Sequence, residues 1–124
     1  MIKCYCGSQL DFEICCQPYI NGIKKAPTAE ALMRSRYSAF ATHKADYLIE
    51  TTHFSTRKHH IKEDILEWAV SNQWIKLLVM KATINSVTFK AFYIDSELQS
   101  QIHQEHSIFK LEDGSWYYVD GTFH

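Results

Sequence analysis

The sequence predicts an α+β domain, helices first and an antiparallel four-stranded sheet after them, with a small cysteine module in front. Three observations carry this. Apolar residues recur at spacings of three and four from Ala29 to Phe40, the period of a helix. From Trp74 onward the period becomes two, and Asp113-Gly114 separates two such runs as a hairpin turn would. All four cysteines, Cys4, Cys6, Cys15 and Cys16, fall within thirteen residues.

The cysteines form a C-x-C, then eight residues, then C-C. Thiolates at i and i+2 reach one metal ion if the chain turns sharply between them, and Gly7 turns at no steric cost. Cys15 and Cys16 then close a tetrahedron, the geometry of a structural zinc site with no open coordination position. A disulfide is the second reading, although nothing else points to an oxidising compartment. Redox cysteines are the third, although neither pair is a C-x-x-C. Residues 1–20 make this module. One helical turn from Asp11 to Cys16 would present the last two thiols, and metal binding would supply the folding free energy.

Pro18 to Pro27, with Asn21-Gly22 inside, reads as a linker into a domain over residues 21–124. Thr28 is an N-cap with Glu30 in the first turn, and the helix should reach about His43. Its stripe is Ala29, Leu32, Met33, Tyr37 and Phe40. Arg34 can pair with Glu30 at i, i+4. Arg36 sits in the middle of the stripe, so it either snorkels past the core edge or enters a buried ion pair. A second helix follows over roughly 45–52, ending near His53. Ser55 to His60 is polar and reads as a loop. A third helix over about 61–72 carries Ile61, Ile65, Trp68 and Ala69 or Val70 on one face. The strands are expected at 74–84, 87–94, 101–112 and 116–121, with Asn85-Ser86 as the first turn.

Composition bounds the function classes. At 124 residues and 46% hydrophobic, with 7 Phe, 7 Tyr and 3 Trp, the chain can build one bulky core. A net charge of −1 without a basic run argues against nucleic-acid binding through phosphates. No signal peptide and no apolar run near 18 residues appear, so a soluble cytoplasmic protein without membrane contact is expected.

Counting back from an Asp113-Gly114 turn puts Leu111 opposite Trp116, Phe109 opposite Tyr118 and Ser107 opposite Asp120. Glu105, Ser107, Phe109, Leu111, Trp116, Tyr118 and Asp120 then share the covered face. Two carboxylates there call for a cation between them, and Arg36 is the candidate. Tyr37, Tyr47 and His53 could add hydroxyl and imidazole groups. This set is either a structural polar network or the lining of a pocket.

Cys4-Tyr5-Cys6-Gly7-Ser8 through Cys15-Cys16 resembles the SEC-C motif, a zinc module at the C-terminus of the bacterial SecA ATPase. Leu32-Met33-Arg34-Ser35-Arg36-Tyr37-Ser38-Ala39-Phe40, Asp46-Tyr47-Leu48-Ile49 and Trp116-Tyr117-Tyr118-Val119-Asp120-Gly121 resemble the bacterial YchJ-like family over nearly the whole chain. The resemblance implies a SEC-C module joined to a nuclear-transport-factor-2-like cone, a curved sheet wrapped by helices. Many relatives carry a second module at the C-terminus, whereas this sequence stops at His124. Where relatives have Trp-His-Pro, this chain has Thr52-His53-Phe54.

Two functions are expected from these features. In the first, the module docks a protein partner through Lys3, Gln9, Leu10 and Phe12. The cone is then a scaffold or small-ligand binder, able to dimerise through its outer sheet face. In the second, a small lyase, isomerase or hydrolase works inside the cone with His53, Glu105 or Asp120 as acid or base. No nucleophile motif, glycine-rich phosphate loop or cofactor fingerprint is present.

Overall fold

The computed structural model describes residues 2–123. A short bridge between Lys3 and Asp11 folds the N-terminus back on itself. A 3-10 turn, Phe12–Ile14, and a short helix α1, Gln17–Ile20, follow. The linker is therefore partly helical, since Pro18 has the fixed φ that a first helical turn accepts.

Helix α2, Ala29–Ala41, is the central element. Thr28 caps it, its Oγ1 accepting from Ala31 N at 3.0 Å. It ends where Lys44 N donates to Ala39 O and His43 N to Phe40 O, with His43 at φ 62°. That pair of bonds is a Schellman end, with a histidine where glycine is usual. Ala29, Leu32, Met33 and Tyr37 are buried and Phe40 is half-buried.

Helix α3 spans Ala45–Glu50. The stretch expected as a loop contains a further helical turn, α4, Phe54–Arg57, because His53 caps it by accepting from Ser55 N. Helix α5, Lys62–Ser71, is mostly exposed: Ala69 is its one buried residue, and Val70 faces out.

Strands β1 (Gln73–Ala82), β2 (Ser86–Ile94), β3 (Ser100–Glu112) and β4 (Ser115–Phe123) form an antiparallel meander in the order β1-β2-β3-β4. The first turn lies one residue earlier than expected. Thr83 N donates to Ser86 O at 2.8 Å, which leaves Ile84-Asn85 as the loop. The last turn is Asp113-Gly114, with φ 51° and 80°, the left-handed pair of a tight hairpin.

Leu111 does pair with Trp116 and Phe109 with Tyr118, but the register then slips between Ile108 and Phe109. One extra residue, Val119, enters β4 at this bulge. Beyond it Ile108 pairs with Asp120 and Ser107 with Gly121. A one-residue slip moves every later side chain to the other face.

Helix α2 crosses the inner face of the sheet, touching β1, β2 and β4. Cys4, Cys6 and Cys16 belong to the same buried cluster as Leu32, Met33, Tyr37, Val87, Phe89 and Phe109. The cysteine module is thus seated on α2 and shares the core. Residues 51–53 cover the outer edge of β4, through His53 N to Tyr118 O at 2.7 Å and Tyr118 N to Thr51 O at 2.8 Å. Among the described residues, no helix is long and apolar enough to cross a membrane.

Candidate functional site: a thiol cluster and an aromatic cavity on one helix

The first site is the cysteine cluster. Gly7, at φ 83°, makes the turn directly after C-x-C, a conformation that favours glycine. Cys4 N donates to Leu10 O, and Phe12 N to Ile2 O, closing the loop. The 3-10 turn and α1 then deliver Cys15 and Cys16. All four sulfurs lie within 4.8 Å of one another, with Cys6 to Cys15 at 3.7 Å and Cys15 to Cys16 at 4.0 Å. The thiols are free.

Hydrogen bonds from Cys16 and Cys6 hold Cys4 far below the ordinary thiol range, while sharing with Cys4 pushes Cys16 up. Cys15 is raised to about 11, chiefly by burial. Around the sulfurs, Ser8 Oγ lies 3.0 Å from Cys15 Sγ and Ser38 Oγ 3.6 Å from Cys4 Sγ. Arg34 Nη1 donates to Cys6 O at 2.7 Å while its Nε holds Glu30 at 3.0 Å. Four convergent sulfurs with a cation beside them could hold a metal ion.

The second site is a cavity of about 180 Å³ between α2, α5 and the inner face of the sheet. Its walls are aromatic: Tyr37 and Phe40 from α2, Trp68 from α5, Trp74 from β1, Phe89 from β2, Phe123 from β4. The rings meet edge to face, Phe40 with Trp68 at 5.5 Å and Trp68 with Trp74 at 4.9 Å between centroids.

A polar cluster centred on Glu105 is built into this wall. Glu105, only 6% exposed, accepts from His103 Nε2 at 2.9 Å through Oε1. Its Oε2 accepts from Ser107 Oγ at 2.5 Å and from Tyr118 OH at 3.0 Å. Burial pushes its carboxyl pKa up, but the His103 hydrogen bond and charge, with those from Ser107 and Tyr118, outweigh it, so Glu105 is held below the ordinary carboxylate value. Burial pushes the Tyr118 and Tyr37 phenols up, so both stay protonated.

Arg36 enters the cavity from α2 at 7% exposure. Its Nη1 donates to Leu48 O at 2.9 Å, Thr51 Oγ1 at 2.7 Å and, more weakly, Thr52 Oγ1 at 3.5 Å. Its guanidinium carbon sits 4.5 Å from the centre of the Tyr118 ring. The expected ion pair does not form: Tyr118 stands between Arg36 and Glu105, facing the first with its ring and the second with its hydroxyl.

Of the residues expected to converge, Arg36, Tyr37, Glu105, Ser107 and Tyr118 line the cavity. Three others do not. Asp120 is exposed on the outer face beyond the bulge, its Oδ1 accepting from Gly121 N. His53 is buried at 3%, bonded to Ser55 Oγ at 2.7 Å and Glu112 Oε1 at 3.2 Å on the far side of β4. Tyr47 packs under α2 with its hydroxyl 2.7 Å from Ser35 Oγ. Two histidines were missed, His103 and His60. Extending the β3 alternation from Glu105 back by two residues would have found His103.

A four-cysteine cluster seated on a helix-wrapped sheet places the chain in the class of SEC-C motif proteins with a nuclear-transport-factor-2-like domain. It matches the solution structure of a SEC-C motif containing protein from Rhodopseudomonas palustris at TM-score 0.89 and 31% identity, over 98% of each chain. The crystal structure of a SEC-C motif containing protein from Psychrobacter arcticus matches at TM-score 0.80 and 29% identity, over 100% of this chain and 84% of that one. The family described as "YchJ, middle NTF2-like domain" matches residues 28–121. A UPF0225 protein of Enterobacter sp. (strain 638) is 40% identical, over 96% of this chain and 82% of its own length. The UPF0225 protein YchJ of Shigella dysenteriae is 39% identical, over the same shares. The chain belongs to the UPF0225/YchJ family.

Proposed function

We propose that this protein is a zinc-held small-molecule-binding domain whose ligand occupies the aromatic cavity of the cone. The observation that carries this is the cavity itself, about 180 Å³ of space with a carboxylate, a guanidinium and two histidines set into a largely aromatic wall. A cavity near this size, about 150 Å³, accepts benzene, and an apolar hollow with a few convergent polar groups is the usual form of a small-ligand site. Zinc suits the cysteines. A tetrahedron with Zn–S bonds of about 2.3 Å puts its sulfurs about 3.8 Å apart, and two of the sulfur pairs stand at 3.7 and 4.0 Å. Its role is to fasten the N-terminus to α2.

The test is a small-molecule titration followed by the fluorescence of Trp68 and Trp74, alongside metal analysis of untagged protein. About one zinc per chain is expected, with saturable binding of small aromatic probes that Ala91→Phe, which fills the cavity, abolishes. Absence of any saturable binder would overturn the reading.

The N-terminal module supports an additional docking role toward a protein partner. Ile2, Leu10 and Ile14 are exposed beside the cluster, with Lys3 and Gln9, while Phe12 is half-buried against Tyr5. Leu10→Asp should abolish capture of that partner and leave cavity binding intact. The acid–base alternative is favoured by one observation, the His103–Glu105 pair at the cavity wall. Glu105 uses both oxygens internally, so His103 would be the base. His103→Gln should then abolish turnover without loss of ligand binding.

A further inference from the structure

We infer that the cavity is a receptor for a small aromatic monocarboxylate, gripped by the Nε–Nη2 edge of Arg36. This rests on the cavity reading above and names its ligand class.

The guanidinium is unbalanced. All its hydrogen bonds leave from Nη1. Nε and Nη2 have no partner among the described residues, and no carboxylate oxygen there lies within 4.0 Å of Arg36. Glu105 cannot turn to it, because both its oxygens are held by His103, Ser107 and Tyr118. The Tyr118 ring attracts the cation but does not neutralise it. A buried cation without a counter-charge is costly. No side-chain nitrogen or oxygen sealed from solvent lacks a partner among the described residues, so these two nitrogens are not sealed, and the cavity is the space that Arg36 lines.

The free edge selects the ligand. Nε and Nη2 carry two parallel N–H bonds, spaced to meet both oxygens of one carboxylate. Glu105 is already paired with His103, so the Arg36 edge is the charged group left to meet a ligand, and one carboxylate satisfies it. The aromatic part of the wall, Phe40, Trp68, Trp74, Phe89 and Phe123, suits a planar apolar body, and the volume suits a single ring.

The test uses the metal-loaded full chain. Benzoate and phenylacetate are titrated against their amides, benzamide and phenylacetamide, which keep the shape and lose the charge. Tryptophan fluorescence reads affinity, and the Arg36 Nε–H resonance reads the contact. The acids are expected to bind about ten- to hundredfold tighter than the amides and to shift that resonance. Arg36→Gln should erase the preference while amide affinity persists, and Arg36→Lys should retain only part of it. If Arg36→Gln does not fold, the resonance in the unaltered protein decides. Equal binding of acid and amide would overturn the carboxylate inference and leave the cavity reading standing. Binding of neither would overturn both.

Discussion

The Glu105 side chain occupies the place where a Cβ on Gly121 would stand: one built there overlaps Oε2, Cδ and Cγ of Glu105. The two residues are diagonal neighbours on the inner face of β3 and β4 only because of the bulge at Val119. Gly121→Ala must therefore push Glu105 away from Ser107 and Tyr118. The expected cost is about 1–3 kcal/mol, shrinking in a Glu105→Ser background. A denaturation double-mutant cycle measures this, and additive losses would sink it.

Tyr118 and Asp120 should behave oppositely. Tyr118→Phe removes a donor from the buried carboxylate, at a cost of about 1–3 kcal/mol, and should weaken cavity binding. Asp120→Asn alters an exposed outer-face group and should change stability by no more than about 0.5 kcal/mol, with cavity affinity unchanged. Urea melts and probe titrations of the two variants decide between this picture and one with Asp120 inside.

His53 should matter for stability alone. His53→Ala loses the α4 cap and the bond to Glu112, at about 1–2 kcal/mol. Probe affinity of the folded variant should match that of the parent. A large affinity loss without unfolding would contradict the placement of His53 behind β4.

Acid should destabilise the fold in two windows. Burial, then the charges of Arg36 and His59, lowers the His60 pKa below 6.5. The unfolded chain takes up that proton first, so stability declines as pH falls below about 6.5. The Glu105 pKa is lowered below 4.5, burial being outweighed by its hydrogen bonds. Its contribution is present above about pH 4.5 and disappears as pH drops through the folded value. Stability against pH should lose its upper step in His60→Asn and its lower step in Glu105→Gln.

Removal of metal should damage more than the N-terminus. Cys4, Cys6 and Cys16 pack in the same core as Leu32, Met33 and Tyr37, and structural zinc contributes on the order of 10 kcal/mol of binding free energy. Chelation, or Cys6→Ser, should release the ion and lower the melting temperature of the whole domain in one transition. An unchanged main transition would show the module to be an independent appendage.

Much of this was legible in the sequence. The helical stripe and cap gave α2, the change of period gave the sheet, and Asp113-Gly114 gave the last hairpin. The C-x-C and C-C spacing brought four sulfurs together. Misplacement began at Val119, where nothing in the β4 sequence announces an extra residue, and that one residue carried Asp120 outside and Gly121 in. His53 followed a different rule: a backbone pairing between residues 51–53 and Tyr118 fixed where its ring could go, and backbone pairing leaves no compositional trace. Arg36 was found by its position in the stripe, but its partners were not, because backbone carbonyls and threonine hydroxyls are invisible to a search for carboxylates.

Arg34 and Ser38 lie one helical turn apart on α2 and touch the cysteine cluster, while Arg36 between them points from the opposite side into the cavity. One helix therefore carries both sites, and their occupancies are expected to be coupled. Such coupling is reciprocal: a molecule held at Arg36 should slow metal escape, and an intact cluster should tighten the cavity by the same factor. The rate at which a chelator strips the ion thus becomes a readout of whether the cone is filled, usable before any ligand is known.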